Sequence, residues 1–129
     1  MMTLNQLAEA LAGLIAGRTG VAAHTQRLHT AVYPMYALQA VPEEIRLAAG
    51  GDQLWRRVAV TVACHGSRQR QAEEGLELAD KLAKALTPGL PLGTRHLTPL
   101  RLECRVRESR PEVRFWLEFY DTADAGDEA

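Results

Sequence analysis

The thiol and imidazole side chains of this 129-residue chain, those best suited to metal binding or nucleophilic chemistry, are Cys64, Cys104, His24, His29, His65 and His96. A structural zinc needs about four such ligands brought together, and a helical zinc site shows paired histidines four residues apart. The histidines are scattered without that spacing, and the cysteines form no CxxC pair. Cys64 and His65 are adjacent at a strand end, where successive side chains point to opposite faces, so one ion does not readily take both. His65-Gly66-Ser67 lacks the second glycine of a nucleophile elbow, and no phosphate loop or dinucleotide fingerprint is present. The expectation is therefore no catalytic residue, no cofactor and no metal, with Cys64 and Cys104 as buried, inert thiols.

What remains is arginine and aromatic chemistry. Of 15 basic residues 13 are arginine, and only Lys81 and Lys84 are lysine. Arginine is the cation favoured in buried and interfacial pairs. On the reading of the strands below, Trp116 and Tyr120 share an outer sheet face with Arg101, Arg105 and Arg114. Arginine mixed with aromatic residues is the composition of a buried interface. Arg105, Arg114, Trp116, Tyr120, Arg56 and Arg57 are accordingly the candidate subunit-interface residues.

Composition sets the frame. Apolar residues make up 47% and charged residues 24%, which excludes a disordered chain and gives a 14.2 kDa chain enough apolar surface for one core. The net charge of −1 hides a split, because Asp121, Asp124, Asp127 and Glu128 all lie in the last nine residues. The remaining body carries 15 bases against 12 acids, too little for an electrostatic nucleic-acid binder. No run is long and apolar enough to span a membrane, and the first residues lack the basic region of a secretion signal. Two cysteines suit a reducing compartment.

The elements that must position these residues follow from periodicity. Leu4, Leu7, Ala8, Leu11, Leu14 and Ile15 form a helical stripe, opened by a Thr3/Gln6 capping box and closed near Gly17 and Gly20. Residues 21–28 extend. A second extended run covers 35–41; Pro42 then demands an edge or a bulge, and Ile45 and Leu47 resume the strand. Gly50-Gly51-Asp52 turns the chain. In the next strand Leu54, Val58, Val60, Val62 and Cys64 share one face, with Trp55, Arg57, Ala59, Thr61 and Ala63 on the other. Ser67 is the expected cap of a second helix whose stripe is Ala72, Leu76, Ala79, Leu82, Ala83 and Leu86. Its first turn holds Arg68 and Arg70, against the macrodipole, with Glu73, Glu74 and Glu77 placed to offset them. Residues 88–99 read as an ordered loop.

The last segment reads as a hairpin with its turn at Ser109-Arg110. Paired residue numbers then sum to 219, so Leu100, Leu102, Cys104 and Val106 meet Phe119, Leu117, Phe115 and Val113 on the core face. The same register sets Arg105 against Arg114, a like-charge clash that a neighbour's carboxylate would relieve. The expected core includes Leu11, Leu14, Val60, Val62, Leu82, Leu102, Phe115 and Leu117. The expected fold is one α+β domain over residues 1–121: an antiparallel sheet of four or five strands, element order α-β-β-β-α-β-β, covered by two helices. Residues 122–129 form a flexible acidic tail.

The order of parts carries a resemblance. An amphipathic helix precedes YPMYALQAVPEEIRLAAGGDQLWRRVAVTVAC, a second helix follows, and LRLECRVRESRPEVRFWLEFYD closes the chain. Over residues 3–121 this resembles the small tail-terminator, or tail-completion, proteins of tailed phages and prophages, especially of Gram-positive hosts. The resemblance implies a subunit that assembles with itself as a ring, usually a hexamer, on the tail tube. Its partners would be the tail tube protein and the head–tail connector protein, with DNA met only in passing through the lumen. It implies a place at the head-proximal end of a virion tail, reached from the host cytoplasm. Three other expectations stand beside it: a connector or other minor tail component, a nucleic-acid module using Arg56, Arg57, Arg68 and Arg70, and a small enzyme or metal protein.

Overall fold

The computed structural model describes residues 3–25, 33–47, 51, 53–67, 69–92 and 95–122. Their order is α1 (Leu4–Thr19), β1 (Ala22–His24), β2 (Met35–Leu47), β3 (Gln53–His65), α2 (Gln71–Leu86), β4 (Leu90–Leu92), β5 (Arg95–Leu97), β6 (Leu100–Arg107) and β7 (Arg110–Thr122). The fold is α+β. Five strands form one sheet in the order β1-β2-β3-β7-β6, and β4 pairs with β5 in a small ribbon. The main sheet is mixed, because β1 runs parallel to β2 while the other neighbours are antiparallel. Residues 88–99 are thus largely the β4–β5 ribbon, where a loop was expected. Residues 123–129, His29, Arg68 and the expected turn residues Gly50 and Asp52 lie outside the described residues.

Helix α1 begins as its capping box dictates. The Gln6 amide donates to Thr3 Oγ1 at 3.1 Å and the Thr3 amide to Gln6 Oε1 at 2.8 Å. It ends at Gly20 in the left-handed region, φ 73°, where a glycine carries no Cβ penalty. Leu7, Ala8, Leu11 and Ile15 are buried, with Leu4 and Leu14 packed at the margin.

Helix α2 departs from its expected start and face. It begins at Gln71 behind Arg70 with no side-chain cap, and the Ser67 amide instead donates to Glu74 Oε1 at 2.8 Å. The buried stripe is Gly75, Leu78, Ala79, Leu82 and Leu86, leaving Ala72 and Leu76 exposed. Gly75 sets this rotation. A Cβ there would lie 2.7 Å from Pro111 Cδ, so only glycine permits the close approach of helix to sheet. Tyr36 fixes the same contact by donating its hydroxyl to the Leu78 carbonyl at 2.7 Å. Arg70, at the N-cap position and not inside the first turn, pairs with Glu73 at 3.0 Å and Glu77 at 3.5 Å, the compensation expected for a cation at this helix end.

Both helices and the ribbon contribute to one core on one side of the sheet. It holds Tyr36, Leu38, Val58, Val60, Val62, Cys64, Val113, Phe115, Leu117 and Phe119 against Leu11, Ile15, Leu82, Leu90 and Leu97. Pro42 has the predicted effect: the β2–β3 register shifts between Pro42 and Glu44, which pushes Glu43 out as a bulge.

The terminal hairpin corrects the sequence register. Its loop is Glu108-Ser109, both at positive φ (53° and 64°), a two-residue turn of the primed type. From Glu103 to Arg107 the paired numbers sum to 217, so Arg105 faces Glu112 and not Arg114. A second irregularity at Arg101, φ 50°, moves Leu100 to the face opposite Leu102. All eight residues of β6 are exposed, including Leu102, Cys104 and Val106, which were expected in the core. The cause is position: β6 is an edge strand, as β1 is on the other side, and neither helix packs against β6.

Candidate functional site on the helix-free face

Side-chain alternation places Trp55, Arg57, Ala59, Thr61 and Ala63 of β3 on the face without helices, with Glu112, Arg114, Trp116, Glu118 and Tyr120 of β7 beside them. The half near His65 is an open hollow whose lining includes the small residues Ala37, Thr61 and Ala63 together with Arg110 and Glu112. The other half is built around Glu43. Its carboxylate accepts a hydrogen bond from Trp116 Nε1 at 3.0 Å and lies 3.5 Å from Arg114 and 3.8 Å from Arg57 Nε. Arg57 Nε also lies 3.3 Å from Glu118 Oε2, yet neither contact has hydrogen-bond geometry, and Arg114 Nε likewise has no hydrogen-bond acceptor.

Trp116 is the anchor. It is only 9% exposed although no helix covers it. Two guanidinium groups do the covering, Arg114 at 4.9 Å and Arg101 at 5.4 Å from the ring centre. A cation over an indole face is worth roughly 0.5–1 kcal/mol at exposed sites. Further along, Arg46 stacks on Trp55 at 4.1 Å, and Tyr120 is 58% exposed. The arrangement presents planar arginine and aromatic groups on one sheet face, chemistry suited to docking a protein face carrying carboxylates.

The six sequence-derived interface residues are therefore not one cluster. Arg57, Arg114 and Trp116 come together around Glu43. Tyr120 shares their face. Arg105 sits at the edge, bonded to Glu112 at 3.3 Å, so the supposed clash with Arg114 does not exist. Arg56 is on the opposite face altogether. It is 6% exposed and binds Asp121 at 3.2 Å, and Arg95 binds the other oxygen of the same carboxylate. Its parity with Leu54 and Val58 was the signal that placed it inward. Glu43 was missed because it is extruded by the bulge, and Asp121 because it reads as the last residue of the domain, next to an acidic tail.

The thiols also separate. Cys64 is fully buried, and burial pushes its thiol up to about 12, while Cys104 is exposed. Among the described residues no three His, Cys, Asp or Glu side chains gather where they could hold a metal ion. No described helix is long and apolar enough to cross a membrane.

No protein-family model matches the chain, and no curated protein matches it. Of the solved structures that match, one aligns with 96% of each chain at 20% identity and a TM-score of 0.44. A likeness at that level carries no argument about function.

Proposed function

We propose that this chain is a structural subunit that caps a tail tube as a ring of its own copies, ends tube growth and forms the tail side of the head–tail junction. The reading rests on the resemblance in element order. The observation that carries it is the helix-free face, where Trp116, Arg57, Arg114 and Tyr120 stand together on the sheet with no covering element among the described residues. A subunit that must dock on other proteins needs such a face, and a stable aromatic anchor rimmed by arginine is how docking faces are built. Ring formation requires contacts between different patches on successive copies.

Of the residues named for a nucleic-acid module, Arg56 is withdrawn from the surface onto Asp121. The exposed Arg57 and Arg70 already have carboxylate neighbours, Glu43 and Glu118 for the first and Glu73 and Glu77 for the second. Arg68 lies outside the described residues.

Labelled antibody against this chain, applied to tailed particles of the strain that carries it, tests the proposal by electron microscopy. The expected result is label at the head-proximal tail end, and tubes of uncontrolled length when the gene is deleted. Unlabelled particles with tails of normal length in the deletion strain overturn it.

A further inference from the structure

The exposed edge of the sheet carries a pattern of its own. Among the described residues strand β6 is unpaired on its outer side, and it is exposed on both faces along its whole length. Open edges of this length are normally blunted, because their free backbone groups recruit other strands. Here the helix-side row is Leu102, Cys104 and Val106, with Leu102 44% and Val106 62% exposed. Arg107 and Arg110 flank the two-residue turn, so they form a hydrogen-bonded pair, and bonding alternates from there. Arg105 and Glu103 then bond inward to β7. The N–H and C=O groups of Leu102, Cys104 and Val106 point outward, unclaimed by the sheet.

We propose that β6 is a self-recognition edge: two copies of the chain pair their β6 strands antiparallel about a two-fold axis through Cys104. An axis perpendicular to the sheet joins residues of the same face, so it must pass through a residue paired with itself. The register is regular from Glu103 to Arg107, and an axis at Val106 or Arg107 sets arginine on arginine, which leaves Glu103, Cys104 and Arg105. The first sets glutamate on glutamate and the third arginine on arginine, both unfavourable. Only the axis at Cys104 is complementary throughout. Leu102 meets Val106 of the partner subunit, and Glu103 meets Arg105 of the partner subunit, each twice. Arg101 would stand opposite Arg107 of the partner subunit in an unbroken ladder, but its positive φ turns it aside onto Trp116. The outcome is one continuous ten-stranded sheet with all four helices on one side and the helix-free faces still open. The contact is isologous, unlike the ring contact, so it stands or falls independently of the tail reading.

Size-exclusion chromatography with light scattering on the full chain tests it, with circular dichroism as the check on folding. The wild-type chain is expected to run as a dimer of 14.2 kDa subunits. V106K, at an exposed position, is expected to be a folded monomer. E103R and R105E are each expected to lose the dimer, and an equimolar mixture of the two variants to regain it as a heterodimer, because their opposite charges then meet across the axis. A short bismaleimide should join the wild-type copies through Cys104 and leave C104S unjoined. A wild-type monomer at its highest soluble concentration overturns the proposal. So does a dimer or larger ring that is indifferent to V106K, or a charge reversal without rescue, since each places the contact elsewhere.

Discussion

Arg56 and Arg57 are consecutive in β3 and have opposite fates. Arg56 points to the helix side, where it and Arg95 share the fully buried carboxylate of Asp121. Arg57 points to the open side, where it leans between Glu43 and Glu118 with its side chain 42% exposed. The same residue type is structural in one setting and available in the other. The difference lies in solvent. A buried charge must be paired or it costs several kcal/mol, whereas an exposed pair is nearly balanced by water. Arginine count alone therefore says little about an interface; the strand face on which each arginine falls decides.

Breaking the buried side should have the largest effect. Asp121→Ala leaves two guanidinium groups without their shared carboxylate, and chemical denaturation should show a loss of about 3–5 kcal/mol. A loss under about 1 kcal/mol would mean that water reaches the Arg56 pocket. Leu117→Ala, on the same side at full burial, should cost about 2–5 kcal/mol by the cavity it leaves. On the open side Glu43→Ala should cost only about 0–1 kcal/mol, read by the same denaturation curves. Its clearer signature is the indole fluorescence of Trp116, which loses its hydrogen-bond acceptor. Arg57→Ala should be smaller still, near zero in thermal melts, because the pair it makes is bent and half in water.

The two cysteines give the mildest contrast. A thiol reagent at pH 8 should modify Cys104 alone, and Cys64 only after denaturant is added; equal labelling of both in the native protein would place Cys64 at the surface. At neutral pH the buried thiol changes nothing. Above its ordinary value of 9.0 the unfolded chain gives up a proton that folded Cys64 holds up to about 12, so stability should fall as pH climbs through that interval.

Much of the framework was written locally. The Thr3/Gln6 box, the stripe through Leu7, Leu11 and Ile15, the alternation from Val58 to Cys64 and the break at Pro42 each arise from residues within a few positions of one another. The terminal hairpin shows where local reading ends. Glu108-Ser109 lacks the Asn-Gly signal of a primed turn, so the turn looked as if it belonged one residue later. That error changed every pair and created a clash between Arg105 and Arg114 that the protein does not contain. The stripe of α2 was misread for a different reason: Gly75 carries no hydrophobicity, yet its close contact with Pro111, 36 residues away, orients the helix.

The sequence by itself determined the α+β class, the first helix, the β3 pattern and the faces of Trp116 and Tyr120, because these depend on periods of 3.6 and 2 along one segment. Tertiary structure alone decided that β6 is an edge, that Leu102 and Val106 are therefore exposed, that Arg56 is buried on Asp121 and that Glu43 gathers Arg57, Arg114 and Trp116. Each of those facts depends on which strands become neighbours, and strand order is fixed by how the whole sheet buries its apolar face against two helices and a ribbon. A period reports which way a side chain points; only the assembled sheet determines what lies there to meet it.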